Sequence, residues 1–300
     1  MHFAVADEAS RRLLPRCSCF GLLPCCLSDG FVPRRAPNVG TKPQHETIWP
    51  AAIPGDGFGG GGFELRTGKS ATFTAPAGWT SGRIWARTGC SFDNASGPPG
   101  GGNATTCATG SCGPTLKCGV AGATPASLAE FTLAGAGGED YYDVSLVDGF
   151  NLPVLVEPVH GEGNCSAAGC FGDLRESCPP ELAVKVGGRT VACRSACDVF
   201  DTDQYCCRGL YGGPATCKPT VYSSKFKDAC PTAYSYAYDD PSSLFTCTNA
   251  DYVITFCSNK KCSRHDHGHC SGSSRSWPTR VSSLLMPVLI FSVLSSRIPV

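Results

Sequence analysis

The 300-residue chain carries 25 basic and 25 acidic side chains, 36 Gly, 23 Pro and 21 Cys, with 17% charged and 42% hydrophobic residues. Zero formal charge excludes a broadly basic nucleic-acid binder or a polybasic membrane binder. Glycine and proline together are about a fifth of the chain, but they lack the period of collagen, and the apolar share is too high for disorder. The cysteine density fits an oxidising, secretory route and is unusual in a reducing cytosol. The odd count places at least one thiol outside intramolecular pairing.

Residues 1–43 show no periodicity. Arg11, Arg12 and Arg16 precede Cys17–Leu27 in the order of a secretory leader. Asp7 and Glu8 lie in front, however, Pro24 interrupts the apolar run, and Cys17, Cys19, Cys25 and Cys26 fall inside it. The segment reads as an atypical extension, either a poor signal peptide or a doubtful first exon, and no strand is expected in it. From residue 44 to 258, strand-like runs recur at Ala71–Ala75, Gly82–Thr88, Glu130–Leu133, Tyr142–Leu146, Pro153–Glu157 and Asp251–Phe256. Each alternates or is rich in Val, Ile, Phe and Tyr, and each is bounded by turn residues such as Pro76-Ala-Gly78 and Asp148-Gly-Phe-Asn151. Short strands at near-regular spacing predict a mainly β protein, a sandwich or barrel. Between about 165 and 230 the cysteines crowd together and Val191–Phe200 and Ser223–Cys230 read as single short helices. A loop-rich second domain stapled by disulfides is expected there.

Several of these stretches carry more than periodicity. Gly82-Arg-Ile-Trp-Ala-Arg-Thr-Gly-Cys90-Ser-Phe-Asp93, Leu128-Ala-Glu-Phe-Thr-Leu133 and Tyr142-Asp-Val-Ser-Leu-Val-Asp-Gly-Phe-Asn-Leu-Pro153 resemble the thaumatin-like family of plant proteins, as do Tyr205-Cys-Cys207 and Tyr252-Val-Ile-Thr-Phe-Cys257. The resemblance spans roughly residues 44–258. It implies a β-sandwich carrying a disulfide-rich second domain, a monomeric protein, and seven bridges: Cys90–Cys107, Cys112–Cys118, Cys165–Cys247, Cys170–Cys230, Cys178–Cys193, Cys197–Cys206 and Cys207–Cys217. In the family the cysteine matching Cys257 bonds one on the first strand. Here His45-Glu-Thr-Ile-Trp-Pro50 follows Gln44, which stands where that cysteine belongs, so the first strand is expected to be missing or replaced. Thr109-Gly-Ser-Cys112 also departs, lacking the family's usual aspartate before the cysteine.

The resemblance further implies an acidic cleft made by Arg83, Glu130, Asp143, Asp148 and Asp239, with Asp240 competing for the last place. Paired carboxylates can hydrolyse a glycosidic bond, one protonating the leaving oxygen while the other activates water or attacks the sugar. Clustering like charges raises at least one pKa, as a general acid requires. By resemblance Glu130 would be the acid and Asp148 the base or nucleophile. The expected function is plant defence, through binding of fungal or cell-wall β-glucan in this cleft without a cofactor. A weak endo-β-1,3-glucanase is one alternative, and a membrane-permeabilising or cell-surface signalling protein is another. Asn94-Ala-Ser96 and Asn103-Ala-Thr105 are glycosylation sequons, and a third at Asn164 contains Cys165, which the family pairs.

Residues 259–280 form a polar spacer. His265-Asp-His267-Gly-His269-Cys270, with Cys262 nearby, offers metal-ligand types, but the spacing matches no closed site and no metal is assigned. Val281–Val300 is hydrophobic, with only about eleven strongly apolar residues at Leu284–Leu294, short of a bilayer span. Small residues at Ser271–Ser274, a short spacer and this tail follow the order of a GPI-attachment signal. Secretion to the apoplast or the outer face of the plasma membrane is therefore expected.

Overall fold

The computed structural model describes residues 2–7, 47–55, 58, 60–76, 78–92, 107–134 and 138–257. Twelve strands are present among them: β1 (His2–Asp7), β2 (Ile48–Ile53), β3 (Ser70–Thr74), β4 (Gly82–Thr88), β5 (Leu128–Thr132), β6 (Asp140–Ser145), β7 (Val154–Val159), β8 (Ala168–Gly169), β9 (Ala183–Val186), β10 (Arg189–Cys193), β11 (Phe245–Cys247) and β12 (Asp251–Phe256). One five-stranded sheet runs β3-β1-β12-β7-β8, a second runs β11-β6-β5-β4-β2, and β9–β10 form a separate hairpin.

The two large sheets pack face to face. Ile84, Ala129, Tyr142 and Val144 of one meet Phe73, Val156, Tyr252 and Ile254 of the other in a single buried cluster. Phe131 contacts Tyr252 edge-on across this interface, with ring centroids 5.3 Å apart. The alternation that marks these strands in the sequence is thus the alternation between core and outer face. β4 departs from it, because Ile84, Trp85, Ala86 and Arg87 are all buried. Trp85 belongs to a second cluster with Ala51, Cys118, Ala126 and Leu128, formed where the 107–126 loop covers the outer face. Arg87 lies on that same face, donating to the carbonyls of Trp49 (3.0 Å) and Leu116 (2.8 Å). Burial lowers its pKa to about 10.

Two expectations are corrected. A strand does precede residue 44: His2–Asp7 lies between β3 and β12, antiparallel to β3 and parallel to β12. Cys257 follows β12, is buried, and takes part in none of the seven bridges. Cys17, Cys19, Cys25 and Cys26 lie outside the described residues. Second, Val191–Phe200 is not one helix. Val191–Cys193 completes the β9–β10 hairpin, and only Ala196–Phe200 is helical (α1), capped by the Ser195 hydroxyl. The other helices are α2 (Asp203–Cys206), α3 (Val221–Ala229) and α4 (Asp240–Ser243). α3 starts in a capping box between Thr220 and Ser223.

The seven disulfides among the described residues join the same pairs that the resemblance implies: Cys90–Cys107, Cys112–Cys118, Cys165–Cys247, Cys170–Cys230, Cys178–Cys193, Cys197–Cys206 and Cys207–Cys217. Four of them close within residues 165–230, where strands and helices are too short to hold each other by packing alone.

Candidate functional site

Antiparallel register brings three charged side chains into one row. Arg83 on β4 stands opposite Glu130 on β5, and Glu130 opposite Asp143 on β6. Their neighbours in sequence, Ile84, Phe131 and Val144, point into the core, so the row lies on the outer face of the sheet. Directly opposed residues have Cβ atoms roughly 5 Å apart, close enough to set one another's charge. The Arg83 guanidinium donates to Glu130 through Nε–Oε1 at 2.8 Å, with both side chains partly exposed.

Asp148 joins this row from the turn after β6. Gly149 amide bonds to the Leu146 carbonyl (2.9 Å), and the Ala126 amide bonds to that of Asp148 (3.1 Å). Gly149 has φ +90, and a Cβ there would come within 2.6 Å of Pro125 Cβ, so both conformation and space require glycine. Arg83, Glu130, Asp143 and Asp148 line an open cleft of about 370 Å3 with Leu128, Ser145, Val147, Tyr234 and Ala237. A second cavity of about 260 Å3 adjoins it across the same row, adding Ser81, Thr132, Tyr141 and Leu244.

Asp239 is not in this cleft. Its buried carboxylate accepts from Lys227 Nζ (2.9 Å), from the Ser235 amide and hydroxyl (3.0 and 2.8 Å) and from the Ser242 hydroxyl (3.0 Å). Its partners are all within the protein and tie α3 to the loop before α4. Its neighbour Asp240 accepts from the Tyr234 hydroxyl (3.1 Å) and its charge acts on Asp143. Two adjacent aspartates in an irregular loop give no periodicity by which sequence alone could choose between them. Asp239→Ala should lower stability by about 1–3 kcal/mol, because Lys227 loses its one charged acceptor, keeping the Ala233 carbonyl and Ser243 hydroxyl, and Ser235 and Ser242 lose theirs. Thermal melting checks this.

The cleft holds carboxyls of different character. Burial raises the pKa of Asp143 to about 8, aided by the charges of Glu130 and Asp240 and opposed by Arg83. Its Oδ1 is buried and accepts no hydrogen bond among the described residues. Burial also raises Glu130; Arg83 opposes that shift, Asp148 adds to it, and a hydrogen bond from Ser145 opposes it. Asp143 is therefore a proton-holding group beside an ion-paired Glu130, whereas the sequence reading assigns the acid role to Glu130. Ser145 and Tyr234 were missed. Ser145 stands two residues from Asp143 on one strand face, a signal available in the sequence. Tyr234 arrives from a distant loop through its amide bond to the Val144 carbonyl (2.8 Å).

Among the described residues, no three His, Cys, Asp or Glu side chains are placed to hold a metal ion. No described helix is long and apolar enough to cross a membrane. The His265–Cys270 cluster, the sequons at Asn94 and Asn103 and the apolar tail lie outside the described residues. At the third sequon the Asn164 side chain accepts from the Ser166 hydroxyl (3.2 Å), and Cys165 is bridged.

Residues 43–258 match the thaumatin family. The chain belongs to that family. A pathogenesis-related thaumatin-like protein 3.5 of Cryptomeria japonica is 55% identical over 215 residues, covering 70% of this chain and 85% of the relative. Pathogenesis-related protein 5 of Arabidopsis thaliana is 55% identical over 213 residues with the same coverage of each chain. A thaumatin-like protein 1a of Malus domestica is 47% identical over 218 residues, again covering 70% and 85%. Membership accounts for the mainly β architecture with short helices and many bridges, and the bridges fit a secreted protein.

Proposed function

We propose that this thaumatin-family chain is a plant defence protein of the extracellular space, whose cleft binds β-glucan of fungal or plant walls. The row Arg83–Glu130–Asp143 across three adjacent strands, open on both sides to adjoining cavities, is the observation that carries this reading. An elongated groove of carboxyls, hydroxyls and one guanidinium suits a neutral polyol, which offers many donors and acceptors and no charge. The names of the relatives, pathogenesis-related and thaumatin-like, support the defence role.

A second reading, weak endo-β-1,3-glucanase activity, is favoured by one observation: the pKa of Asp143 at about 8 keeps a carboxylic acid available at neutral pH. Asp148 or Glu130 would then supply the carboxylate. Glu130→Gln tests whether the cleft binds glucan at all. It keeps the size of the side chain, removes the charge that pairs with Arg83, and should weaken laminarin binding about tenfold in calorimetry, the effect of losing one charge-assisted contact. Unchanged binding would remove the cleft from the proposal. Reducing sugar released from laminarin by the unsubstituted protein, and lost in Asp143→Asn, would establish turnover.

A further inference from the structure

We infer that the acidic cleft continues onto an aromatic ledge made by Tyr205, Tyr222 and Tyr236, which takes a further sugar ring of the same glucan chain. This rests on the glucan reading above. The ledge lies against a small cavity of about 70 Å3 in the cystine-rich region, lined among others by Gln204, Tyr205, Lys218, Tyr222 and Tyr236. Val147 and Ala237 line this cavity and also the acidic cleft, so the two are continuous.

The rings are held rigidly. Tyr205 and Tyr222 meet edge-on at 5.6 Å, and Phe200 packs on both at 5.4 and 5.3 Å. The Tyr222 hydroxyl donates to Glu181 Oε1 at 2.8 Å, fixing the ring at its far end. Tyr205 is followed by Cys206 and Cys207, which are bridged to Cys197 and Cys217. A cluster that served packing alone would be covered, yet Phe200 is 36% exposed and Tyr205, Tyr222 and Tyr236 are all partly exposed. A pyranose ring presents an apolar C–H face and polar edges. An aromatic ring with a polar tip suits the face, and Gln204 and Lys218 stand among the same lining residues to meet the hydroxyls. Carboxyls at one end and aromatic rings at the other describe a groove for a chain of sugars.

Calorimetry on the full chain with laminaribiose and laminariheptaose tests this. The unsubstituted protein should bind the heptaose more tightly. Tyr205→Leu with Tyr222→Leu should weaken heptaose binding about tenfold and leave the biose unchanged, since two stacking contacts are lost. Tyr205→Phe with Tyr222→Phe should keep the heptaose affinity, because stacking needs the ring and not the hydroxyl. Tyr236→Leu, which leaves the packed trio of rings intact, gives a second reading if the double leucine variant melts early. Heptaose affinity unchanged in the leucine variants, while Glu130→Gln weakens both sugars, would overturn the ledge and leave the cleft standing. Equal losses for biose and heptaose would mark a general structural effect and overturn it too. If neither sugar binds the unsubstituted protein, cleft and ledge fall together.

Discussion

Asp143→Asn should stabilise the folded chain by about 2–5 kcal/mol at pH 8 and above, with almost no effect near pH 4. The folded pKa lies at about 8 and the ordinary value at 3.8. Between these limits the folded chain keeps a proton that the unfolded chain has released, so stability falls as pH rises through the window. Each unit of pKa difference corresponds to about 1.4 kcal/mol, which caps the effect at about 6 kcal/mol, just above the expected range. Above the folded pKa both states are ionised and the loss is complete. An asparagine cannot ionise and carries no such loss. The groups facing this carboxyl are Glu130 and Arg83 across the sheet, Asp148 in the same cleft, Tyr234 from the covering loop and Asp240 at the start of α4. Burial of the carboxylate is the main cost of ionising it, and the charges of Glu130 and Asp240 add to that cost, which is why removing a charge there helps. Melting curves of both proteins from pH 4 to 9 check it, with a separation of several degrees expected at the alkaline end. Parallel pH profiles for the two proteins would show that Asp143 ionises normally, and its assignment as the proton-holding group would fail with that.

The parts of this fold that follow from local pattern were legible in the sequence. β6 and β12 alternate because one face meets the opposite sheet, and Gly-, Pro- and Asp-containing turns mark their ends. β1 was illegible for a different reason. It is parallel to β12, and parallel partners need a long connection, so neither strand carries a local sign of the other. The hairpin β9–β10 and the two-residue β8 are shorter than any periodicity can register. The carboxyl row divides in the same way. Glu130 and Asp143 sit on strands whose register aligns them, whereas the choice between Asp239 and Asp240 depends on how a loop folds around Lys227. Which carboxyl keeps its proton depends on burial and on the charges of Glu130, Arg83 and Asp240, and Asp240 lies about a hundred residues further along the chain than Asp143. Family resemblance supplied the bridge pairing, which spacing alone leaves open.

Removing Cys165–Cys247 with a pair of alanines should be the costlier of two disulfide losses, at about 4.5 kcal/mol against about 2 kcal/mol for Cys112–Cys118. The first bridge closes a separation of 82 residues and the second one of 6. The entropy withheld from the unfolded chain grows with the logarithm of the loop, so the longer closure contributes roughly twice as much. The surroundings of the long bridge are equally unforgiving. Cys247 is buried on β11, and a Cβ on Gly161 would collide with the sulfurs of both Cys247 and Cys165. β11 also forms the edge beside β6, pairing Phe245 with Tyr142, so it braces the strand that carries Asp143. For a domain of this size the long-bridge variant should melt roughly 10–18 °C lower, and the short-bridge variant about half as far. Laminarin binding well below the melting point should survive in both, since neither bridge touches the cleft lining. Equal losses of stability would show that strain or local packing, and not closure of the long loop, sets what each bridge contributes. A loss of binding in the long-bridge variant alone would show that β11 positions the carboxyl row as well as stabilising the fold.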